Sequence, residues 1–332
     1  MPIWIQRLRS FFSTEVSGGI FLVAAALLAL ILANSPAKLM YATFTQQSHN
    51  FVNEFLMSFF FFLVGLEIRR EFRDGELRNP KMAALPVICA LGGMVTPAGI
   101  YLVFNSGGLA AKGWAVPMPT DIALALGVLA LLGSRIDSSL KIFLLTLAIA
   151  DDLFSIIVMA IFYRSGLEPI RIIGTIGAVV LALIIPLGKR MTLSRLINLI
   201  YPWSAFLIIP AFALVNIGVT IEISQISSQL NSPVARGIIV GRVVGKFVGI
   251  TFFAWLAIKL RVANKPKSIS FAEISGAAAL AGMGLTVSLF IAELALTQST
   301  VLASVKLGLL VSAIISGAFG YCILRKTSSA QD

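Results

Sequence analysis

The sequence contains little charge. Asp, Glu, Lys and Arg make up 12% of its 332 residues, whereas 58% are hydrophobic and the mean hydropathy is +0.94. Soluble domains contain about 25% charged residues, so this chain has roughly half the charge that a water-facing surface requires. The composition excludes a soluble enzyme, a secreted disulfide scaffold and a disordered chain, and it indicates a polytopic membrane protein.

Cysteine and histidine are also scarce, with two Cys and one His in the whole chain. Cys89 and Cys322 lie in apolar runs, so they predict neither a zinc cluster nor a disulfide framework, and we expect no cofactor. The net charge of +11 would suit nucleic acid only if the basic residues shared one exposed face. They do not share one, so nucleic acid is not an expected partner.

Apolar runs predict about ten transmembrane helices, because a bilayer core about 30 Å thick needs about 20 apolar residues per helix. We expect an all-α polytopic membrane protein that forms a single membrane domain over residues 1–332. The ten runs lie approximately at 16–33, 53–68, 82–104, 114–133, 142–162, 172–187, 201–217, 237–258, 274–294 and 307–324.

The basic residues predict the orientation of these spans. Of the 26 Lys and Arg residues, 18 lie near the two termini or in the loops that follow even-numbered spans, and six lie in or beside the opposite loops. Because cytoplasmic loops are enriched in Lys and Arg, we expect both termini in the cytoplasm.

Four ionisable residues fall near the middle of predicted spans: Asp121, Asp151, Asp152 and Lys246. Such residues are costly in a bilayer and usually mark an ion or proton pathway. The alternative is a buried ion pair that only ties helices together, but three carboxylates against one lysine exceed what it needs. Arg242 shares a helix face with Lys246, where it either reaches the interface or lines the same cavity.

Two of the predicted helices are interrupted. Pro117 and Pro119 cannot both sit inside a regular fourth helix, and Gly282-Met283-Gly284 is a weaker break signal in the ninth. Broken helices leave partial positive charge at their N-termini and partial negative charge at their C-termini. An Asp and a Lys at that depth are suited to compensate these ends.

The interrupted helices are the middle members of two three-helix segments, residues 82–162 and 237–324, which start on opposite sides of the membrane. This topology predicts two inverted repeats with broken helices at the midplane. We expect these repeats to form the ion-binding core, with residues 1–81 and 163–236 as scaffold helices.

Two further patterns are less specific. At the end of the second span, Glu67, Arg70 and Glu71 share one helix face, which also fits ordinary surface ion pairs at a solvated helix terminus. In the eighth span, small residues that allow another helix to approach closely recur every four positions, at Gly237, Gly241, Gly245 and Gly249.

Specific motifs occur along most of the chain: GLEIRREF (65–72), GWAVPMPTDIALALGVLALLGSR (113–135), KIFLLTLAIADDLFSII (141–157), YPW (201–203), GKFVG (245–249) and GMGLTVSLFIAELA (282–295). Together they strongly resemble the NhaA family of bacterial sodium/proton antiporters, a known example of broken helices and inverted repeats. The resemblance implies exchange of Na⁺ or Li⁺ for H⁺ across the bacterial inner membrane, for sodium extrusion and pH homeostasis.

The resemblance also implies roles for individual residues. Asp152 matches the principal cation ligand of the family, Asp151 matches the partner of the lysine, and Lys246 matches that lysine. Thr120 and Asp121 match the part of the site on the broken fourth helix. The residues that match the family's cytoplasmic funnel, associated with the pH response, are Glu67, Arg70 and Glu71.

The chain departs from the family in its scaffold. Two spans that family members usually have are missing around 174–190, and the loop after the first span lacks most of a hairpin used in family dimers. We therefore expect a weak homodimer at most, in a lipid bilayer. Ile197 stands in place of a family glutamate, and Phe247 replaces a proline after Lys246.

Other functions fit the residues less well. An intramembrane prenyltransferase has Asp-rich motifs near a polar rim, and an intramembrane aspartyl protease has a Gly-x-Gly-Asp motif; neither pattern is present, so we expect no enzyme. A passive cation channel and a family member that inserts but no longer transports are the two alternatives.

Overall fold

Helices account for the regular structure of the chain. The computed structural model describes residues 15–163, 169–188, 191–220, 223–266 and 268–328, and these contain no strand. The predicted all-α fold class is confirmed. Both chain ends and the basic pair Lys189-Arg190, on which part of the orientation prediction rests, lie outside the described residues.

Twelve helices are described within these ranges, and three of them (α2, α7 and α9) each contain one π-helical turn. Their bounds are α1 Glu15–Ala33, α2 Lys38–Asp74, α3 Pro80–Phe104, α4 Ile122–Leu131, α5 Ser138–Phe162, α6 Pro169–Ile184, α7 Leu193–Asn216, α8 Ile223–Leu230, α9 Pro233–Lys259, α10 Phe271–Leu280, α11 Thr286–Ala295 and α12 Ser299–Ser328.

Each of the ten predicted spans coincides with a helix or with an interrupted helix. Six described helices are long and apolar enough to cross a membrane, namely α2, α3, α5, α7, α9 and α12. The second predicted span, 53–68, lies within the longer helix α2, which begins at Lys38. Its polar start is fixed by packing: the Tyr41 hydroxyl donates to the Leu214 carbonyl at 2.6 Å.

The helices form two compact units, and the first contains the described residues within 1–70 and 169–221. In this unit α2 packs against α6 at Gly65, where a Cβ would lie 2.8 Å from the Cβ of Ala182. Buried Ile197 belongs to the adjoining apolar cluster with Leu63 and Leu66. An apolar residue fits this buried position because the cluster around it is apolar.

The second unit contains the described residues within 71–168 and 222–332. The predicted glycine ridge of α9 packs against α3. A Cβ at Gly241 would lie 3.0 Å from the Pro97 carbonyl oxygen, and one at Gly245 would lie 3.1 Å from the Pro97 Cα. The expected close approach of a helix is confirmed, and it fixes the part of α9 that carries Arg242 and Lys246.

Candidate ion-binding site

The two interrupted helices contact each other where their helical structure stops. The first interruption, residues 116–121, separates the 3₁₀ helix Ala110–Ala115 from α4, and the second, residues 281–285, separates α10 from α11. The Asp121 amide donates to the Met283 carbonyl at 2.8 Å. Non-helical backbone at membrane depth is tolerated where protein covers it, and these two segments cover each other.

Asp121 lies at the N-terminal ends of both second half-helices. It is the N-cap residue of α4, with its carboxylate 3.4 Å from the Leu124 amide. Its other carboxylate oxygen accepts a hydrogen bond of 3.0 Å from the hydroxyl of Thr286, the first residue of α11. A carboxylate is favourable there because helix N-termini carry partial positive charge, as predicted from the sequence.

The contact between the two interruptions, residues 116–121 and 281–285, is called the crossing here. A buried polar cluster lies beside it and consists of Thr120, Asp151 and Lys246. The Lys246 ammonium donates to Asp151 Oδ2 at 2.7 Å and to Thr120 Oγ1 at 2.6 Å. The Thr120 hydroxyl lies 2.7 Å from the same Asp151 oxygen and 3.0 Å from the Ala281 carbonyl oxygen. Since a hydroxyl has one proton, it donates to only one of these two acceptors at a time.

The second oxygen of Asp151, Oδ1, is buried without a hydrogen-bond partner among the described residues. Buried carboxylate oxygens are normally hydrogen-bonded, so this oxygen is available to a proton or to a cation. Asp152 is half-buried on the same helix, about 100° around the axis from Asp151. The two neighbouring carboxylates therefore have different surroundings and cannot have identical roles.

Arg242 binds backbone at both interruptions and is fully buried, with 0% of its surface exposed. Its Nε donates to the Gly282 carbonyl at 3.0 Å, and its Nη2 donates to the Pro119 carbonyl at 2.7 Å. Its Nη1 donates to the Ser288 hydroxyl at 2.6 Å and to the Val116 carbonyl at 3.4 Å. The sequence left open whether this side chain reaches the interface, and the structure shows that it does not.

The sequence predicts that a lysine compensates the negative ends of the broken helices, but in the structure an arginine contacts the carbonyls there. Lys246 contacts Asp151 and Thr120, whereas Arg242 contacts the carbonyls that follow the first half-helices. The sequence signal for Arg242 was its position four residues before Lys246. Its acceptors lie 40 to 126 residues away in the chain, so helix periodicity alone could not identify them.

The residues predicted for the cytoplasmic funnel do not all lie in one unit. Buried Glu71 belongs to the second unit, where one carboxylate oxygen accepts hydrogen bonds from the Thr146 hydroxyl at 3.1 Å and the Glu76 amide at 2.9 Å. Glu67 and Arg70 are half-buried residues of the first unit. Thr146 lies five residues before Asp151 on α5, so the Glu71 contact lies on the cytoplasmic side of the cluster in the predicted orientation.

The cluster can hold a proton or a small hard cation through oxygen atoms. Carboxylate and hydroxyl oxygens suit such cations, and Lys246 supplies a positive charge that competes with them. In the described part of the chain, no group of three or more His, Cys, Asp or Glu side chains could hold a metal ion.

Comparison with known proteins covers almost the whole chain. The sequence model of the family described as Na⁺/H⁺ antiporter 1 matches residues 9–174 and 171–324. The Na⁺/H⁺ antiporter NhaA of Nitrobacter hamburgensis is 41% identical over an alignment of 376 residues that covers 97% of this chain and 92% of the relative. The NhaA antiporters of Rhodospirillum rubrum and Citrobacter koseri are 38% and 37% identical, over 98% and 97% of this chain and 98% of each relative.

The alignments also show that this chain is shorter than the relatives. The alignment to the Nitrobacter protein is longer than the 332 residues of this chain, so the relative contains residues with no counterpart here. The family match divides at residues 171–174, next to the region where the sequence predicts a missing helix pair.

Proposed function

This chain belongs to the Na⁺/H⁺ antiporter 1 family, and we propose that it exchanges Na⁺ for H⁺ across the cytoplasmic membrane of a bacterium, with Li⁺ as a second cation substrate. The six long apolar helices support a multi-pass membrane location. Both termini are proposed to be cytoplasmic, and cysteines at the exposed positions of Asp74 and Val262 should then be labelled from inside only.

The observation that carries the proposal is the buried cluster of Asp151, Thr120 and Lys246 at the contact between two interrupted helices. An ion pair that only ties helices together needs no interrupted backbone and no additional carboxylate. Here Asp152 follows directly, and one oxygen of Asp151 has no hydrogen-bond partner in the described structure. These features favour a site whose carboxylates change their occupant.

Competition between the two occupants explains exchange. An ionised carboxylate is costly at membrane depth unless a proton, a cation or the lysine neutralises it. We assign Asp152 as the main cation ligand, with Thr120 and Asp151 as further oxygen ligands and Lys246 as the internal competitor for Asp151. A cation that enters releases protons, and protons that return expel the cation.

The second unit is proposed to contain the ion-binding core, in residues 82–162 and 237–324, while 1–81 and 163–236 act as scaffold. Glu67, Arg70 and Glu71 are proposed to couple exchange to cytoplasmic pH. With a shortened scaffold, we expect a monomer or a weak homodimer in lipid. Light scattering in mild detergent would test this assembly, and a stable dimer would contradict it.

Proteoliposomes that contain the purified chain and an internal pH dye provide the functional test. Adding Na⁺ or Li⁺ should move protons in wild type, and Asp152→Asn should abolish this response, because an amide keeps the volume but neither titrates nor balances a cation. Asp137→Asn is the matched control, the same substitution at the exposed N-cap of the same helix. Hydrogen bonds from Ser139 hold the pKa of Asp137 below its usual value, so its charge is constant over the assay range.

Three results would contradict the proposal. Exchange that persists in Asp152→Asn would remove Asp152 from the site. Sodium flux without proton movement would indicate a passive channel. An inserted, folded wild type that moves neither ion would indicate a family member that no longer transports.

A further inference from the structure

Two buried cations lie one helical turn apart on α9, and only one of them is explained by exchange. Lys246 contacts a carboxylate and a hydroxyl, as a competitor for protons and cations should. Arg242 contacts no carboxylate within hydrogen-bond distance in the described structure; three of its four acceptors are backbone carbonyls. Burying a guanidinium without a carboxylate partner costs free energy. The carbonyl groups around Arg242 must therefore offset this cost.

These carbonyls lie at the negative ends of the interrupted helices. Val116 is the C-cap residue of the 3₁₀ helix, and Pro119 follows it within the first interruption. Gly282 follows Ala281, the C-cap residue of α10. These three carbonyls accept no backbone amide in the described structure, and they lie at or within three residues after the C-cap residues of these helices, where the helix dipole is negative. The planar guanidinium has five donors in a fixed arrangement, which allows it to bind both ends at once.

Of the two glycines in the second interruption, Gly284 makes room for this side chain, and Gly282 lets the backbone of α9 approach closely. A Cβ at Gly284 would collide with the guanidinium of Arg242, and a Cβ at Gly282 would lie 2.8 Å from the Arg242 carbonyl oxygen. The motif Gly282-Met283-Gly284, first interpreted as a weak break signal, therefore also provides the path by which Arg242 reaches the crossing.

We propose that Arg242 is a positioning residue of the exchange site: it joins and neutralises the carbonyl ends of both interrupted helices, so that Lys246 is left to Asp151 and Thr120. This inference rests on the proposed exchange function. Arg242 fixes the backbone that carries Thr120, since the carbonyl of the preceding residue, Pro119, is one of its acceptors.

The charged groups that act on Arg242 are Asp121, Asp151 and Lys246. Asp121 acts on it from the start of α4, Asp151 acts on it from α5, and Lys246 acts on it from the next turn of α9. Removing the positive charge leaves the two carboxylates with Lys246 alone. Protons should then compete better with Na⁺, and exchange should need a more alkaline pH.

The test compares Arg242→Lys, Arg242→Gln and Arg242→Met with Arg236→Met, the same change at an exposed position of the same helix. Thermal unfolding in sodium-free detergent reports on the crossing without any transport. Exchange in proteoliposomes gives the maximal rate, the half-saturating Na⁺ concentration and the pH profile. Misplacement of a binding group by about 1 Å costs on the order of 100-fold in rate, and we expect a loss of that size in Arg242→Met.

We expect Arg242→Lys to recover part of the rate and the wild-type pH profile, because it restores the charge but not the planar arrangement of donors. Arg242→Gln should keep some hydrogen bonds but shift the profile to alkaline pH. Ser288→Ala removes only the 2.6 Å hydroxyl contact, so it should fold and lose less activity even if Arg242→Met fails to insert.

Two results would overturn the inference. One is an Arg242→Gln protein whose pH profile and half-saturating Na⁺ concentration match wild type, even if it unfolds at a lower temperature, because Arg242 would then be only structural. The other is equal unfolding temperatures for Arg242→Met and Arg236→Met. If wild type does not exchange ions, the proposed function fails, and the unfolding comparison still decides whether Arg242 holds the crossing.

Discussion

Replacing Lys246 with methionine should destabilise the protein strongly and in a pH-dependent way. The ammonium is fully buried and donates to Asp151 at 2.7 Å and to Thr120 at 2.6 Å. Methionine preserves most of the volume but removes the charge, leaving the buried Asp151 carboxylate without the cation that contacts it. Breaking a buried pair by removing one partner costs about 3–5 kcal/mol, or roughly 10² to 4 × 10³-fold in the unfolding equilibrium at 1.4 kcal/mol per tenfold change.

The sign of the pH dependence follows from the charge that is left behind. At acidic pH a proton can neutralise Asp151 in the Lys246→Met protein, so the loss should be smaller there. At alkaline pH the carboxylate is stranded without its counter-ion, so the loss should be largest. Wild type should show a weaker dependence, because the lysine neutralises the ionised carboxylate.

The double variant Lys246→Met with Asp151→Asn supplies the control. Removing both members of a buried pair is often nearly neutral for stability, so the double variant should regain most of the unfolding free energy lost in Lys246→Met. Titration with sodium dodecyl sulfate, followed by tryptophan fluorescence at two pH values, measures wild type, the single variant and the double variant. A double variant as unstable as the single one, or a pH-independent loss in Lys246→Met, would refute the reasoning.

Three further substitutions test the surrounding contacts. Thr120→Val keeps the shape but removes a hydroxyl hydrogen-bonded to a charged group, a bond worth about 1.5–3 kcal/mol; unfolding should be easier by that amount and the half-saturating Na⁺ concentration should rise in the proteoliposome assay. Thr286→Val removes the 3.0 Å donor to Asp121; it should lower the unfolding free energy by about 1–3 kcal/mol with wild-type insertion, and an unchanged value would contradict the N-terminal role of Asp121. Glu71→Gln keeps the shape but removes the charge that faces the Thr146 hydroxyl; it should change the pH profile of exchange while the maximal rate at alkaline pH is retained, and an unchanged profile would remove Glu71 from the pH response.

The cluster around Asp151 could be predicted from the sequence because its charged residues stand in otherwise apolar segments. Asp121, Asp151 and Lys246 stand in apolar runs long enough to cross a bilayer, and hydropathy alone places them at depth. Pro117 and Pro119 mark an interruption because proline lacks the amide proton and clashes in a helix interior. Each of these signals is local, so no contact between helices had to be known.

The start of α2 could not be predicted in the same way. Residues 38–52 include a run of polar side chains, and their helical structure depends on partners that are distant in the chain. Tyr41 donates to the Leu214 carbonyl, and the side-chain amides of Asn53 and Asn216 exchange hydrogen bonds of 3.0 and 2.8 Å. Hydropathy describes whether a residue prefers water or an apolar solvent. It cannot predict these pairs, because each polar group has exchanged water for a protein partner that is distant in the sequence.

The position of Arg242 shows how a crossing of two broken helices can hold charges with separate duties. Asp121 lies at the positive ends of α4 and α11, and Arg242 lies at the carbonyls that form the negative ends, so one acid and one base are committed to the backbone. Asp151, Asp152 and Lys246 remain, and none of them is needed to satisfy those carbonyls. We infer that the charge on this second group can change during exchange while the first group keeps the crossing intact. If one lysine had to bind both the carbonyls and Asp151, the carbonyls would lose a hydrogen-bond donor whenever that lysine changed partner. The interrupted backbone would then be destabilised during exchange.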